Sequence, residues 1–599
     1  MDTESTASEE SLIRDPLDLA LVDRSEWPLQ LLYVPEMRSY RRQPDNIYRD
    51  VREPSYNILS YTWGRWHLPA GDALPVQSVT WKVPPVSPRA FTVDELQRVL
   101  RNVAGESGWV WVDIACIDQE VLEVKMNQIG KQASIFSNAN RAFIWLHQSS
   151  LGELERLVEL LFKSQDTIYD DPHDTTSTAY SQNSTLNETS GTSFLSPCFQ
   201  DTDWLDAVES SLRIFSDPWF SSLWTLQESF LRPEAIVLSK EAQELRRSDG
   251  TGVCLTDFSL TLDDIRQRIS TELMYHGLFL PTHVVRRLEE IKSRIERLHM
   301  DATDNPIALY AAAASRSTMH EEDRIYGIMQ VFGLRLGKSK YPHQEFSLSD
   351  LEVEFTAALA ETSPILGQLF VHTKPPAPHR HWCVSQSSRR PARLETGLPV
   401  PKSSCVIALE DGDGSAKVPF FHGPSCSFQS LVALWDRMRG LMGYAAYKAR
   451  GSNTYLTRPV QLIALDSSQF VLANVYTNPR RHDDEKKVED KILPDHLVER
   501  MGDDLHVFRL GELHSLDALG EDDYEDDYED EDEDRDEDGT EVDDEDQDTW
   551  DDAVCVGLLV RQLPGSSPLW QRIGVALWQS VPESISREAG WSDTRAYLD

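Results

Sequence analysis

The sequence predicts an α/β protein with a sheet of parallel strands near its N-terminus, a helical stretch after it, and a β-rich C-terminal domain. Three observations carry this. The chain has 599 residues, too many for one core, so two or three domains are expected. From Trp27 to about Leu238, strand-like runs alternate with stretches of helical period. From about residue 368 the texture changes to short β-like runs such as "SSCVIALE", "AVCVGLLVRQL" and "QRIGVALW".

Residues 1–25 are polar and acidic and read as a disordered lead-in. They hold no basic segment followed by an apolar one, so no secretory signal is expected there. "YNILSY" (56–61) is the first strand. "TVDELQRVLRNVAG" (92–105) follows as a helix, with Thr92 and Glu95 spaced as a capping box and Leu96, Val99, Leu100 and Val103 at helical spacing. "WVWVDI" (109–114) is the second strand, and "EVKMNQIGKQASIFSNA" (123–139) a helix with Met126, Ile129, Ala133 and Phe136 on one face. "RAFIWL" (141–146) is the third strand.

Residues 165–203 are rich in Ser, Thr, Asn and Asp, lack an apolar period, and read as a disordered insertion. Order returns at "DPWFSSLWTLQESFL", where Asp217 and Pro218 suit a helix start. "EAIVLS" (234–239) is the fourth strand. The expected domains are therefore an α/β domain over 26–240, a helical extension over 241–365, and a β-rich domain over 366–599. The last contains an acidic loop, 517–552, expected to be disordered and dispensable for folding.

The formal charge of −41 is uneven. Glu521–Asp552 holds 23 acidic residues and one Arg, which leaves −19 for the rest. Such a field excludes non-specific nucleic-acid binding through overall charge. No apolar run is long enough for a membrane span. Seven scattered cysteines without C-x-x-C pairs suit reduced thiols, so a cytoplasmic location is expected.

Loops at the carboxyl ends of parallel strands line ligand crevices. Strand one emerges into Ser60, Thr62, Trp63 and Gly64, and strand two into Asp113, Asp118 and Gln119. The two aspartates have an alternative role as turn or helix caps. They could also hold a divalent cation, but no third ligand stands at suitable spacing, and no metal is expected. On one continuous helix from Pro218, Ser221, Trp224 and Glu228 would share a face. Glu228 is then either a solvated border residue or a carboxyl held against an aromatic wall, a setting that tunes reactivity.

These blocks resemble the fungal heterokaryon incompatibility (HET) domain. "YNILSYTWG" matches its Y-x-x-L-S-Y-x-W-G block. "WVDIACIDQ" matches W-x-D-x-x-C-I-N-Q, with Asp118 for Asn, and "PWFSSLWTLQE" matches P-W-F-x-R-x-W-x-x-Q-E, with Ser222 for Arg. "EVKMNQIGKQASIFSNANRAFIWL" and "RSTMHEEDRIYGIMQVFGL" resemble the family's intervening and trailing patterns, so the likeness covers roughly residues 27–335. The resemblance implies non-self recognition ending in programmed cell death, with protein partners or self-association. A more distant likeness to the Toll/interleukin-1 receptor (TIR) domain implies a flavodoxin-like sheet.

Some TIR domains cleave NAD with a glutamate in a W-x-x-x-E segment, which "WTLQE" (224–228) matches. The resemblance thus implies Glu228 as the catalytic carboxylate and NAD as a substrate, with no resident cofactor. Ser60, Trp63, Gly64, Asp113, Asp118 and Trp224 would line the binding site, with Arg65 and Arg141 as candidates for the pyrophosphate. The alternative is a non-enzymatic self-association module, in which Trp219, Phe220 and Trp224 are core or interface.

Overall fold

The structure is a computed structural model. It describes residues 25–68, 85–166, 205–206, 208–209, 212–247, 249–276, 280–298, 305–391, 400–411, 417–435, 461–466, 504–514, 553–564, 569–580 and 586–599. The N-terminal lead-in except Ser25, the insertion beyond Asp166 and the acidic loop lie outside the described residues. The chain divides into two compact units, Met1–Ala302 with Ala312–Phe346, and Thr303–Ala311 with Ser347–Asp599.

The first unit begins with strands β1 (Gln30–Tyr33) and β2 (Arg38–Arg41) and a small hairpin, β3 (Ile47–Tyr48) and β4 (Val51–Arg52). Strands β5 (Asn57–Ser60), β6 (Trp109–Trp111), β7 (Ala142–Trp145) and β8 (Ile236–Leu238) follow. The sheet runs β2-β1-β6-β5-β7-β8. Strands β6, β5, β7 and β8 are parallel, as the alternating pattern predicts, and β1 joins β6 antiparallel. No signal in the sequence singled out β1 and β2. The chain crosses to one side of β5 for β6 and to the other for β7. At such a reversal the connections diverge and leave a crevice outside the strands' carboxyl ends.

The two faces of β7 enter different cores, because side chains alternate along a strand. Phe143 and Trp145 pack with Leu96, Val99 and Val103 of helix α1 (Val93–Ala104). Ala142 and Ile144 pack with Phe215, Trp219 and Phe258. Helix α1 opens with the predicted capping box, Thr92 and Glu95 bonding each other's backbone N–H.

Three predicted elements need correction. The second strand does not extend over 109–114. It stops at Trp111, and Asp113–Cys116 form one helical turn, α2, because Asp113 turns its Oδ1 onto the N–H of Ile114. The helix expected over 123–139 is two, α3 (Leu122–Ile129) and α4 (Gln132–Ser137), separated at Gly130, where Arg335 packs so close that a Cβ would lie 3.0 Å from its Nε. The segment from Pro218 is also two helices, α6 (Pro218–Ser221) and α7 (Trp224–Leu231), after α5 (Leu151–Asp166). Ser222 between them is extended, with φ −79° and ψ 140°. The buried Arg316 guanidinium donates to its carbonyl at 3.1 Å and holds the break open. Ser221 therefore does not share a helical face with Trp224 and Glu228.

Residues 255–362 are largely helical, as the pattern predicts, with helices Leu255–His276, Thr282–Leu298, Pro306–Ser315 and Leu348–Thr362. The second unit is β-rich, again as predicted, but "HWCVS" (381–385) forms turns rather than a strand. Five strands there bond in a ring. Lys417–Ser427 pairs with Leu505–His514, then follow Val554–Gln562, Leu569–Gln579 and Ser592–Leu598, which returns to Lys417–Ser427. Gly511 sits at a bulge in this ring with φ +147°, and a Cβ there would lie 2.1 Å from the Lys402 carbonyl oxygen. Gly511→Ala should destabilise this unit by about 2 kcal/mol or more, through backbone strain and the clash. Chemical denaturation followed by tryptophan fluorescence would measure it, and an unchanged midpoint would contradict the assigned bulge.

Candidate functional site

Ser60 ends β5, paired with Ile144 of β7, and so sits at the carboxyl edge beside the reversal. It is buried, and its Oγ accepts a 2.7 Å hydrogen bond from the indole Nε1 of Trp219. An indole N–H can only donate. The hydroxyl proton of Ser60 is therefore free to go elsewhere, and it goes to Oε2 of Glu228.

Trp219 is placed by Asp217. One Asp217 oxygen accepts the N–H of Trp219 at 3.0 Å and caps α6. The other accepts the N–H of Gln148 at 3.1 Å, in the loop that leaves β7. Asp217 thus ties the third strand's exit to the tryptophan that holds the first strand's serine. Glu228 is delivered one turn before the end of α7. Neighbouring Gln227 is fully buried and donates to Gln132 of α4, which fixes the helix's rotation.

Asp113 reaches the same edge from β6. Its Oδ2 accepts from the indole of Trp63 at 2.6 Å and its Oδ1 from the N–H of Ile114 at 2.6 Å. Tyr61 is buried and interacts electrostatically with both acids. Its hydroxyl lies near Asp113 but forms no hydrogen bond of normal geometry.

The structure thus brings Ser60, Trp63, Asp113 and Glu228 together. Trp224 is partly exposed at the start of α7. Gly64 opens a short turn, and a Cβ on it would meet nothing within 4 Å, so packing among the described residues does not demand glycine there. Asp118 is occupied otherwise. Its Oδ1 accepts the N–H groups of Glu120 and Val121 at 2.9 and 3.0 Å, at the entry to α3, which is the capping alternative. Arg141 pairs with Glu244 at 3.6 Å and lies over Phe143, while the Arg65 side chain lies outside the described residues. Among the described residues no group of three or more His, Cys, Asp or Glu side chains is set to hold a metal ion. No described helix is long and apolar enough to cross a membrane.

Two carboxyl groups close together cannot both ionise freely. Burial pushes Glu228 up to about 8, the charge of Asp113 pushes the same way, and the Ser60 hydroxyl opposes them. Glu228 is partly exposed, and burial by the surrounding protein, though incomplete, sets the direction. Burial also raises Asp113, against the pull of Trp63, Ile114, Lys125 and Tyr61. The arrangement can hold a proton, stabilise a positive charge, or orient hydroxyl groups.

Sequence reasoning missed Trp219 and Asp217 as members of this site. The signal was present in the P-W-F block, but an apolar reading of Trp219 hid its one polar atom.

An α/β domain with paired carboxyl groups at the reversal of a parallel sheet defines a class broader than any one family. The family follows from comparison. Residues 56–228 match the family described as heterokaryon incompatibility protein (HET). The match opens at Tyr56, just before β5, and closes on Glu228. Over 200 residues the chain is 24% identical to heterokaryon incompatibility protein 6, OR allele, of Neurospora crassa. That alignment covers 31% of this chain and 28% of the relative, so less than a third of either is shared. No solved structure matches the chain. The chain thus carries a match to the HET domain over residues 56–228, within a longer sequence.

The elevated Glu228 gives a signed pH dependence. In the unfolded chain the group titrates near 4.5, and in the folded chain near 8. Between those values the folded state holds the extra proton, so stability falls as pH rises through the window. Glu228→Gln mimics the protonated form and lacks this term. The parent should lose stability relative to the variant from about pH 4.5 to about pH 8, by on the order of 2 kcal/mol or more. Denaturant midpoints of both proteins across this range would measure it. A constant difference would mean that Glu228 ionises normally.

Proposed function

We propose that this protein acts in incompatibility-type non-self recognition in the cytoplasm, and that its HET domain cleaves NAD at the nicotinamide bond. The observation that carries the reading is the convergence of Ser60, Asp113 and Glu228 at the carboxyl edge where the strand order reverses. Counted along the chain, the parallel strands run 2-1-3-4, which agrees with a flavodoxin-like, TIR-like domain. The W-x-x-x-E segment lies on α7, with its glutamate at that edge.

The chemistry suits these residues. Nicotinamide departs as a neutral base and takes the C1′–N electron pair with it, so it needs no acid. The ribose is left oxocarbenium-like, and an adjacent carboxylate stabilises it. The proton of the attacking water passes to a carboxylate. Cell death would follow from loss of NAD.

One observation favours the self-association alternative in part. Trp219 and Phe220 are core residues, so some of the family's blocks do build structure. Their burial also withdraws them from any interface.

Glu228→Gln separates the readings. It keeps side-chain size and removes the charge, and loss of one preorganised electrostatic group costs on the order of a hundredfold or more in rate. The variant should fold like the parent at neutral pH, yet lose NAD cleavage and cell killing together. Killing that persists without NAD cleavage would favour the interaction module. NAD cleavage at the parent rate would remove Glu228 from the chemistry.

A further inference from the structure

The two carboxyl groups are not equivalent. Both Asp113 oxygens accept from groups that only donate, the indole of Trp63 and the backbone N–H of Ile114. Lys125 adds a favourable charge from α3. A proton on either Asp113 oxygen would weaken one of those bonds.

Glu228 differs. Its Oε2 accepts from Ser60, which Trp219 holds in place, while Oε1 forms no hydrogen bond with any described residue. A proton on Oε1 therefore disturbs nothing. The titratable groups facing Glu228 are Asp113 and Tyr61; the charge of Asp113 opposes a second negative charge there, while burial and the two acids keep Tyr61 a neutral phenol.

A second observation points to a ligand. The Tyr61 hydroxyl is buried, lies near Asp113 without a hydrogen bond of normal geometry, and interacts electrostatically with both acids. Trp63, partly exposed, offers a ring beside Asp113.

We propose that Asp113 and Glu228 form a one-proton pair that selects N-ribosyl pyridinium cations, so that entry of the positively charged ring expels the Glu228 proton and the neutral, reduced ring is rejected. This rests on the NAD-cleavage reading and deepens it. On binding, the carboxylic acid and the pyridinium become a carboxylate–pyridinium pair, and one proton leaves to solvent. The ring can lie over Trp63, where a flat cation is attracted to the aromatic face. The pair thus rests in a protonated state that suits the folded chain's stability. The substrate's charge, which is lost when the C1′–N bond breaks, creates the anion that the reaction needs.

The test is calorimetric titration of the full-length parent with carbocyclic NAD, whose ribose ring oxygen is replaced by carbon so that the nicotinamide bond resists hydrolysis. Oxidised and reduced forms are compared at pH 7 in buffers of different ionisation enthalpy. The oxidised form should bind at least about tenfold tighter and release close to one proton per molecule. Asp113→Asn should weaken the preference and release fewer protons, because removing the Asp113 charge lets Glu228 ionise more readily. Should that variant fail to fold, the parent's preference and proton count decide alone.

Equal affinity for the two forms without proton release, or no binding of either, would overturn the pair. A parallel assay of NAD consumption keeps the two readings apart. Consumption without preference or proton release would leave NAD cleavage standing and the pair refuted. Preference with proton release but no consumption would uphold the pair and refute cleavage.

Discussion

The hydrogen bond from Ser60 to Glu228 is the contact on which the rest of the site depends. It joins the end of the central strand to a helix 168 residues later in the chain. A carboxyl group brought this far from water needs a donor, or it carries a desolvation cost with nothing to offset it. Ser60 can give its proton only because Trp219 supplies the donor that Ser60 accepts from. Trp219 stands where it does because Asp217 binds both its helix and the loop after β7. A chain of hydrogen bonds thus runs from one strand exit to the next and ends at Oε2 of Glu228, leaving Oε1 open.

Much of this was legible in the sequence, for identifiable reasons. The four parallel strands are short, apolar on both faces and bounded by polar residues, which is how a sheet covered on both sides reads. The carboxyl-edge rule then assigned Ser60 and Asp113 to one margin without any knowledge of packing. Thr92 and Glu95 form the capping box their spacing announces. Asp118 followed the plainer of its alternatives, because an aspartate just ahead of a helix has free backbone N–H groups within reach.

What was not legible depends on partners distant in sequence. Periodicity alone runs one helix from Pro218 through Glu228, and the break at Ser222 is marked by the buried Arg316 and the backbone of Ser317, almost a hundred residues on. Arg335 likewise crowds Gly130 from far along the chain. Strands β1 and β2 exist because β6 has an open edge to pair with, and Gln128 receives the N–H of Leu29 at their start. The role of Trp219 was hidden because hydropathy ranks it as core. It is core, and its one polar atom is also the site's anchor.

The central claim is that Glu228 is held in a protonated resting state beside Asp113, whose two oxygens both accept hydrogen bonds. Carbon-13 NMR titration of the Glu228 side-chain carboxyl tests it most directly. The account predicts a midpoint near 8, displaced downward when Asp113 is replaced by Asn. A midpoint near the ordinary 4.5, or one indifferent to Asp113, would contradict it.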